Sequence, residues 1–368
     1  MLTGDAQVFL YNTWASSVHV HRTDPTLGSG ILSLADVDHL LTETGMRTPA
    51  LRVVRDGSVV AESAFTRGGS LAGKRITGLV DPVKLMRLHD AGATIVLQGL
   101  QRYWTPISDL VAELELELGH PCQANAYLTP PGAQGFAVHS DSHDVFVVQT
   151  HGTKVWEIHG DDGPRQLLLE PGVVAYLPTG TPHAARAQQA VSLHVTIGIN
   201  QFTWQQLVSR VVRDVLDAVV DDHLPAGYLN DPERLAAGLR THLGEIADGV
   251  RRLDVAAVAH AHTERFLSER PARMAGSLLD REALARGMRD DTVLRRRAGR
   301  PCELVEDGDT VRVLLGDRAL RVPARIRGAL DVVAARAVLT PADLPLDPAS
   351  ALVLCRRLVL EGLLEMVR

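Results

Sequence analysis

The stretch QGFAVHSDSHDVFVVQ, residues 134–149, decides how this chain is read. It sets His139 and Asp141 two residues apart between apolar runs, and a second histidine, His183, follows 44 residues later in YLPTGTPHAA. Side chains two apart on a strand share a face, so this spacing puts His139 and Asp141 on one side of a sheet. A histidine arriving from a later strand then completes three ligands, with the opposite side open. Two histidines and a carboxylate in that facial set are the ligands of non-haem Fe(II) oxygenases.

A bare H-x-D is common by chance, and its weight here comes from its flanks. Gly135-Phe136-Ala137-Val138 reads as a strand running in, and Val145 to Gln149 as a strand running out. After Gly152, Thr153 to Ile158 alternates as a half-buried strand does, and Val173 to Leu177 follows the turn Glu170-Pro171-Gly172. His183 stands after the loop Thr179-Gly180-Thr181-Pro182, and Val191 to Ile199 reads as a further strand. Short strands with frequent turn signals describe an antiparallel jelly roll.

The chain's 368 residues allow two or three domains, with 45% hydrophobic and 22% charged residues, an ordinary globular balance. Its net charge of −6 argues against non-specific binding to nucleic acid or to an anionic membrane. Three cysteines without a C-x-x-C pair make neither a disulfide framework nor a thiolate zinc site, and fit a reducing cytoplasm. No apolar run reaches the ~18 residues of a membrane helix.

Working outward, Phe9 to Trp14 reads as a short helix before an edge strand at Val18 to His21, and Val53 to Phe65 as strand, turn and strand. Pro82 to Ala91 is a helix opened by Asp81 and Pro82, Thr94 to Leu97 a strand, Pro106 to Leu118 an amphipathic helix, and Asn125 to Leu128 a strand. Beyond residue 204 the period changes. Apolar residues from Leu207 to Val220 recur every three or four positions, and further helices are expected over 231–243 and 255–267. Such stripes must pack on each other or on another subunit. Arg295-Arg296-Arg297 reads as a linker, and the residues from Cys302 onward mix a β-ribbon with helices, like a winged helix. From Pro301 to Arg368, nine Lys or Arg face ten Asp or Glu, so direct DNA binding is not expected.

Several residues stand where they could serve the site. Asn125 and Tyr127 share one strand face. Lys154, two positions before Trp156, is either a solvated strand end or an ammonium paired with an acidic co-substrate. His194, inside an apolar strand, reads as a core histidine or a pocket residue. His143 reaches the pocket only if the strand stays straight after Asp141.

The run NAYLTPPGAQGFAVHSDSHDVFVVQTHGTKVWEIHG, with LPTGTPHAA and SLHVTIGI after it, resembles the JmjC-type ribosomal oxygenases of the cupin superfamily. The resemblance implies a mixed α+β chain: a double-stranded β-helix over 1–203, a helical dimerisation domain over 204–299 and a winged-helix-like unit over 300–368. It implies a hydroxylase of histidine or arginine side chains in a protein, possibly a ribosomal one, that uses Fe(II), 2-oxoglutarate and O2 and works as a homodimer. By the same resemblance His139, Asp141 and His183 hold iron, and Lys154 binds the 5-carboxylate of 2-oxoglutarate. Asn125, Tyr127 and His194 line the co-substrate or substrate pocket. Ser140 and Gly198 depart from residues common in the family and leave the substrate open. A cupin oxygenase of small molecules or peptide natural products, and a non-catalytic cupin scaffold, remain the alternatives.

Overall fold

Alternation with period two along the middle of the chain builds two facing antiparallel sheets. A computed structural model of the protein describes residues 2–133, 137–160, 163–187, 189–219 and 221–367. Gly135 and Phe136 of the expected incoming strand, and Val220 of the expected helix, lie outside these. The chain divides into two compact units, Met1–Gln201 and Phe202–Arg368.

The first unit opens with α1 (Ala6–Asn12), β1 (His19–Arg22), α2 (Thr26–Ile31), α3 (Leu34–Thr42), β2 (Leu51–Arg55) and β3 (Ser58–Val59). It continues through the hairpin β4 (Thr66–Leu71) and β5 (Lys74–Val80), then α4 (Pro82–Asp90), β6 (Thr94–Leu97), α5 (Thr105–Leu118) and β7 (Cys122–Thr129). The remaining strands are β8 (Asp144–His151), β9 (Lys154–Gly160), β10 (Gly163–Leu169), β11 (Val173–Leu177), β12 (His183–Ala187) and β13 (Ser192–Ile199). The larger sheet has eight strands in the order β1-β11-β8-β13-β7-β6-β2-β3, and the smaller has three, β10-β9-β12. From β8 onward the chain winds back and forth between the two.

Each strand of the larger sheet serves two environments. Cys122, Ala124, Ala126 and Leu128 of β7, with Leu193, Val195, Ile197 and Ile199 of β13, pack into the core under the helices. Val145 and Val147 of β8 turn the other way and meet Trp156 and Ile158 of β9 between the sheets. The odd residues of β7 and the even residues of β13 therefore face the interior of the roll. The Asp81 side chain caps α4, accepting from the Val83 and Lys84 amides, as its sequence promised.

One glycine sets the start of β9. Gly152 has φ +62°, and a Cβ there would lie 2.0 Å from the Val191 carbonyl oxygen. The buried Gln149 amide ties the same turn down, donating to the His151 carbonyl at 2.8 Å and the Ser192 hydroxyl at 2.9 Å.

The second unit begins with α6 (Trp204–Asp217), α7 (Pro232–Arg251) and α8 (Val255–Phe266), in none of which a residue is buried. Then come α9 (Ser277–Arg286), β14 (Leu294–Arg296), the sheet of β15 (Glu303–Asp307), β16 (Thr310–Leu314) and β17 (Ala319–Pro323), α10 (Arg327–Ala335), β18 (Val338–Leu339), α11 (Pro348–Leu360) and β19 (Leu364–Met366). Residues 295–297, expected to be a linker, belong instead to an ordered ladder. Leu294 to Arg296 form the centre of the sheet β18-β14-β19. The arginine charges are absorbed locally: Arg295 Nε meets Glu365 at 2.7 Å, and Arg297 pairs with the buried Asp280. Leu294 supplies the core contact that three successive arginines disguise.

Replacing Gly152 with alanine introduces both a left-handed non-glycine residue and a backbone clash. It is expected to destabilise the fold by about 2–4 kcal/mol, read as a lower midpoint in urea unfolding.

Candidate metal centre

His139 and Asp141 do not lie on a strand, which corrects the expected origin of their geometry. They precede β8, and His139 forms an isolated bridge with His183. The His139 amide donates to the His183 carbonyl at 3.0 Å and the His183 amide to the His139 carbonyl at 2.8 Å. The Gly180 amide donates to the Asp141 carbonyl at 2.9 Å. His183 itself is the first residue of β12, opposite Ile158 of β9, directly after the loop that ends at Pro182.

These main-chain bonds gather three ligand atoms. One atom each of His139, Asp141 and His183 lies within 4.8 Å of the others, and His183 Nε2 is 3.7 Å from Asp141 Oδ2. Both imidazoles are oriented from behind. His139 Nδ1 sits 2.9 Å from the Ala137 carbonyl oxygen and His183 Nδ1 3.0 Å from that of Thr181. A carbonyl can only accept, so each Nδ1 carries a proton, which makes Nε2 the nitrogen that each ring can offer to a metal. Burial lowers the His183 pKa, which favours the neutral ring that a metal requires. Two neutral imidazoles and a carboxylate fit a divalent iron-type ion.

The three ligands open onto a cavity of about 320 Å³ between the sheets, also lined by Lys154, Asn125, Tyr127 and His194. The seven residues that the resemblance assigns to the site therefore meet in one place. Lys154 is buried, not a solvated strand end, because its position puts it on the inward face of β9 with Trp156 and Ile158. Its ammonium donates to Thr129 Oγ1 at 3.1 Å, and burial pulls its pKa down to about 7. His194 is fully enclosed; burial, then the Lys154 charge, hold its pKa well below the ordinary value. Its ring stacks on Tyr127 with centroids 4.9 Å apart, and Trp156 meets it edge-on at 5.5 Å. Asn125 has a structural task as well, since its Oδ1 accepts from the Gly99 amide at 3.0 Å.

The cavity wall is short of polar partners. Among the described residues His194 Nδ1 and Trp156 Nε1 are buried without a hydrogen bond, and Lys154 has a neutral hydroxyl where an anion would suit it. Buried donors of this kind are costly unless a ligand satisfies them. An acidic molecule fits that demand.

Sequence reasoning missed Arg52 of β2 and Trp156 as cavity residues. Arg52 is hydrogen-bonded to Tyr127, and its signal was an arginine set within the apolar run from Leu51 to Val54. His143 does line the cavity, packed so closely that a Cβ on Gly198 would lie 2.4 Å from its Nε2. The Gly198 departure is thus matched by a bulky neighbour.

Lys154 is held against its own stability. Its folded pKa lies below the unfolded value, so wild-type stability rises with pH between about 7 and 10.5 and is lowest at and below 7. Lys154→Met is expected to stabilise the ligand-free protein by a few kcal/mol at pH 7, with the gain shrinking toward pH 10 in urea titrations.

A model of the JmjC domain family matches residues 101–167 and 162–207. Human ribosomal oxygenase 1 is 28% identical over 239 residues, covering 56% of this chain and 35% of the human protein. The bifunctional lysine-specific demethylase and histidyl-hydroxylase NO66 of Aedes aegypti is 26% identical over 239 residues, 58% of this chain and 36% of its own. This chain thus spans about a third of the length of the curated relatives it matches. The crystal structure of the Escherichia coli ribosomal oxygenase YcfD aligns over 100% of this chain and 99% of its own, with 20% identity and a TM-score of 0.55. YcfD in complex with cobalt and 2-oxoglutarate aligns with a TM-score of 0.56 at 19% identity and the same coverage. Those two likenesses show a shared fold. The chain is thus similar over residues 101–207 to the JmjC domain family, and over a little more than half its length to the ribosomal oxygenases.

Proposed function

We propose that this protein is an Fe(II)- and 2-oxoglutarate-dependent oxygenase that hydroxylates a histidine or arginine side chain of a protein, a ribosomal protein in the first instance. The observation that carries this reading is the coincidence, in one cavity, of a backbone-locked His139–Asp141–His183 set with a buried lysine that pairs with no carboxylate among the described residues. The histidyl-hydroxylase activity for which the NO66 relative is named supports histidine as the target, and the cobalt and 2-oxoglutarate bound to YcfD support the cofactors.

In this reading His139, Asp141 and His183 hold the metal through Nε2, a carboxylate oxygen and Nε2. Lys154, steadied by Thr129, takes the far carboxylate of 2-oxoglutarate, and its ammonium gains a partner in a site where water is scarce. Trp156, Val145 and Leu177 supply apolar walls that exclude water. With iron, 2-oxoglutarate and O2 bound, the site gains an oxidant able to hydroxylate a C–H bond, with succinate and CO2 released. Asn125, Tyr127 and His194 shape the space where co-substrate and target meet.

The reading extends to the second unit. The apolar residues left exposed on α6 to α8, among them Trp204, Val208, Leu239 and Leu243, support a homodimer formed through these helices. The mixed elements after 300 serve as a winged-helix-like docking unit. Three buried cysteines, joined by no disulfide among the described residues, support a reducing location, the cytoplasm.

Purified protein supplied with Fe(II) and 2-oxoglutarate is expected to form succinate; no succinate, and no iron retained, would sink the oxygenase reading. His139→Ala and His183→Ala are each expected to abolish turnover and metal retention. Lys154→Met should instead raise the 2-oxoglutarate concentration needed for half-maximal turnover by at least tenfold. Because the free lysine titrates near 7 and the bound one is held charged, 2-oxoglutarate affinity is expected to fall up to about tenfold per pH unit above 7. Equilibrium titration at pH 6.5, 7.5 and 8.5 checks this.

A further inference from the structure

Three residues after Asp141 stands a second carboxylate, Asp144, that the chemistry above does not use. It is 1% exposed and opens β8. Its Oδ1 accepts from the Thr179 amide at 2.8 Å, the Thr179 hydroxyl at 2.7 Å and the Gln201 amide at 2.8 Å. Its Oδ2 accepts from the Tyr176 hydroxyl, which in turn accepts from the Ala15 amide at 2.9 Å. Among the described residues no cation pairs with it. A buried carboxylate satisfied only by neutral donors is an expensive way to hold a loop unless its geometry matters.

What it holds is the segment between β11 and β12. Gln201 bonds Thr179 Oγ1 as well, at 2.7 Å, so Thr179 is clamped from two sides. The next residue, Gly180, donates its amide to the Asp141 carbonyl. Thr181 supplies the carbonyl that orients His183 Nδ1, and Pro182 accepts from the His159 amide at 2.9 Å. Thus one loop, pinned at Thr179, sets the backbone of one ligand and the ring plane of another.

We propose that Asp144 is a positioning residue for the metal centre: through Thr179 it fixes the separation and orientation of Asp141 and His183. The proposal rests on the metal-site reading above. A carboxylate suits the task because every lone pair is an acceptor, so it gathers donors from β11, the loop and the end of β13. An amide in its place presents an N–H₂ group to at least one of those donors.

The test compares Mn(II) affinity, followed by loss of the free-ion EPR signal, with thermal stability in wild type, Asp144→Asn, Thr179→Val and Tyr176→Phe. Co(II) d–d absorption reports ligand geometry in the same four proteins. Asp144→Asn is expected to weaken Mn(II) binding about 10–100-fold and to alter the Co(II) bands. Thr179→Val should weaken binding in the same direction and keeps the test alive if Asp144→Asn does not fold. Tyr176→Phe, whose bond leads away from the loop to Ala15, should lower Tm while leaving Mn(II) affinity within about twofold. Metal affinity unchanged in both Asp144→Asn and Thr179→Val would overturn the proposal. So would affinity that falls in step with Tm across all three variants, since that marks a plain stability element. A wild type that binds neither ion would instead defeat the metal-site reading beneath it, and the proposal with it.

Discussion

The chemistry of this protein depends on two main-chain hydrogen bonds, exchanged between His139 and His183. The H-x-D segment lies outside any ladder, so nothing in the regular sheets holds it. The reciprocal pair does so, docking the segment on the first residue of β12. Because β12 is registered on β9, His183 opposite Ile158 and Ala187 opposite Lys154, the same contact sets the distance between the metal ligands and the buried ammonium. Main-chain bonds suit this purpose, since they hold position while leaving the side chains for chemistry.

The cavity is arranged as an unmet electrostatic demand. Burial holds His183 and His194 toward the neutral form, burial pulls the Lys154 pKa down to about 7, and two ring nitrogens have no partner among the described residues. Each of these is unfavourable in the ligand-free state. Together they are complementary to a metal and an acidic co-substrate, whose arrival satisfies several groups at once. Stability given up in the empty fold is recovered as affinity.

Much of the catalytic unit was legible because its physics is local. Period-two alternation identified β9, short apolar runs between turn signals identified β7, β11 and β13, and the Asp81-Pro82 and Asp231-Pro232 pairs marked helix starts that the structure places at α4 and α7. The misreadings have physical causes. The run before His139 was apolar enough for a strand, yet Ala137 and Val138 pair with nothing regular. The triple arginine hid β14, because partners distant in sequence, Glu365 and Asp280, absorb its charge. The hairpin of β4 and β5 carries four glycines and little alternation, so no pattern announced it.

By itself, the sequence determined the ligand types, their spacing along the chain and the position of most strands of the roll, because these follow from side-chain chemistry and from short apolar runs between turn signals. Tertiary structure alone decided that Lys154 is buried and not solvated, that Arg52 and His143 join the cavity, and that Asp144 clamps the loop behind the ligands. Those outcomes depend on which distant segments pack together. A carboxylate gathering donors from Tyr176, Thr179 and Gln201 has no signature in any window of sequence, since the partners lie up to 57 residues away and meet only when the roll closes.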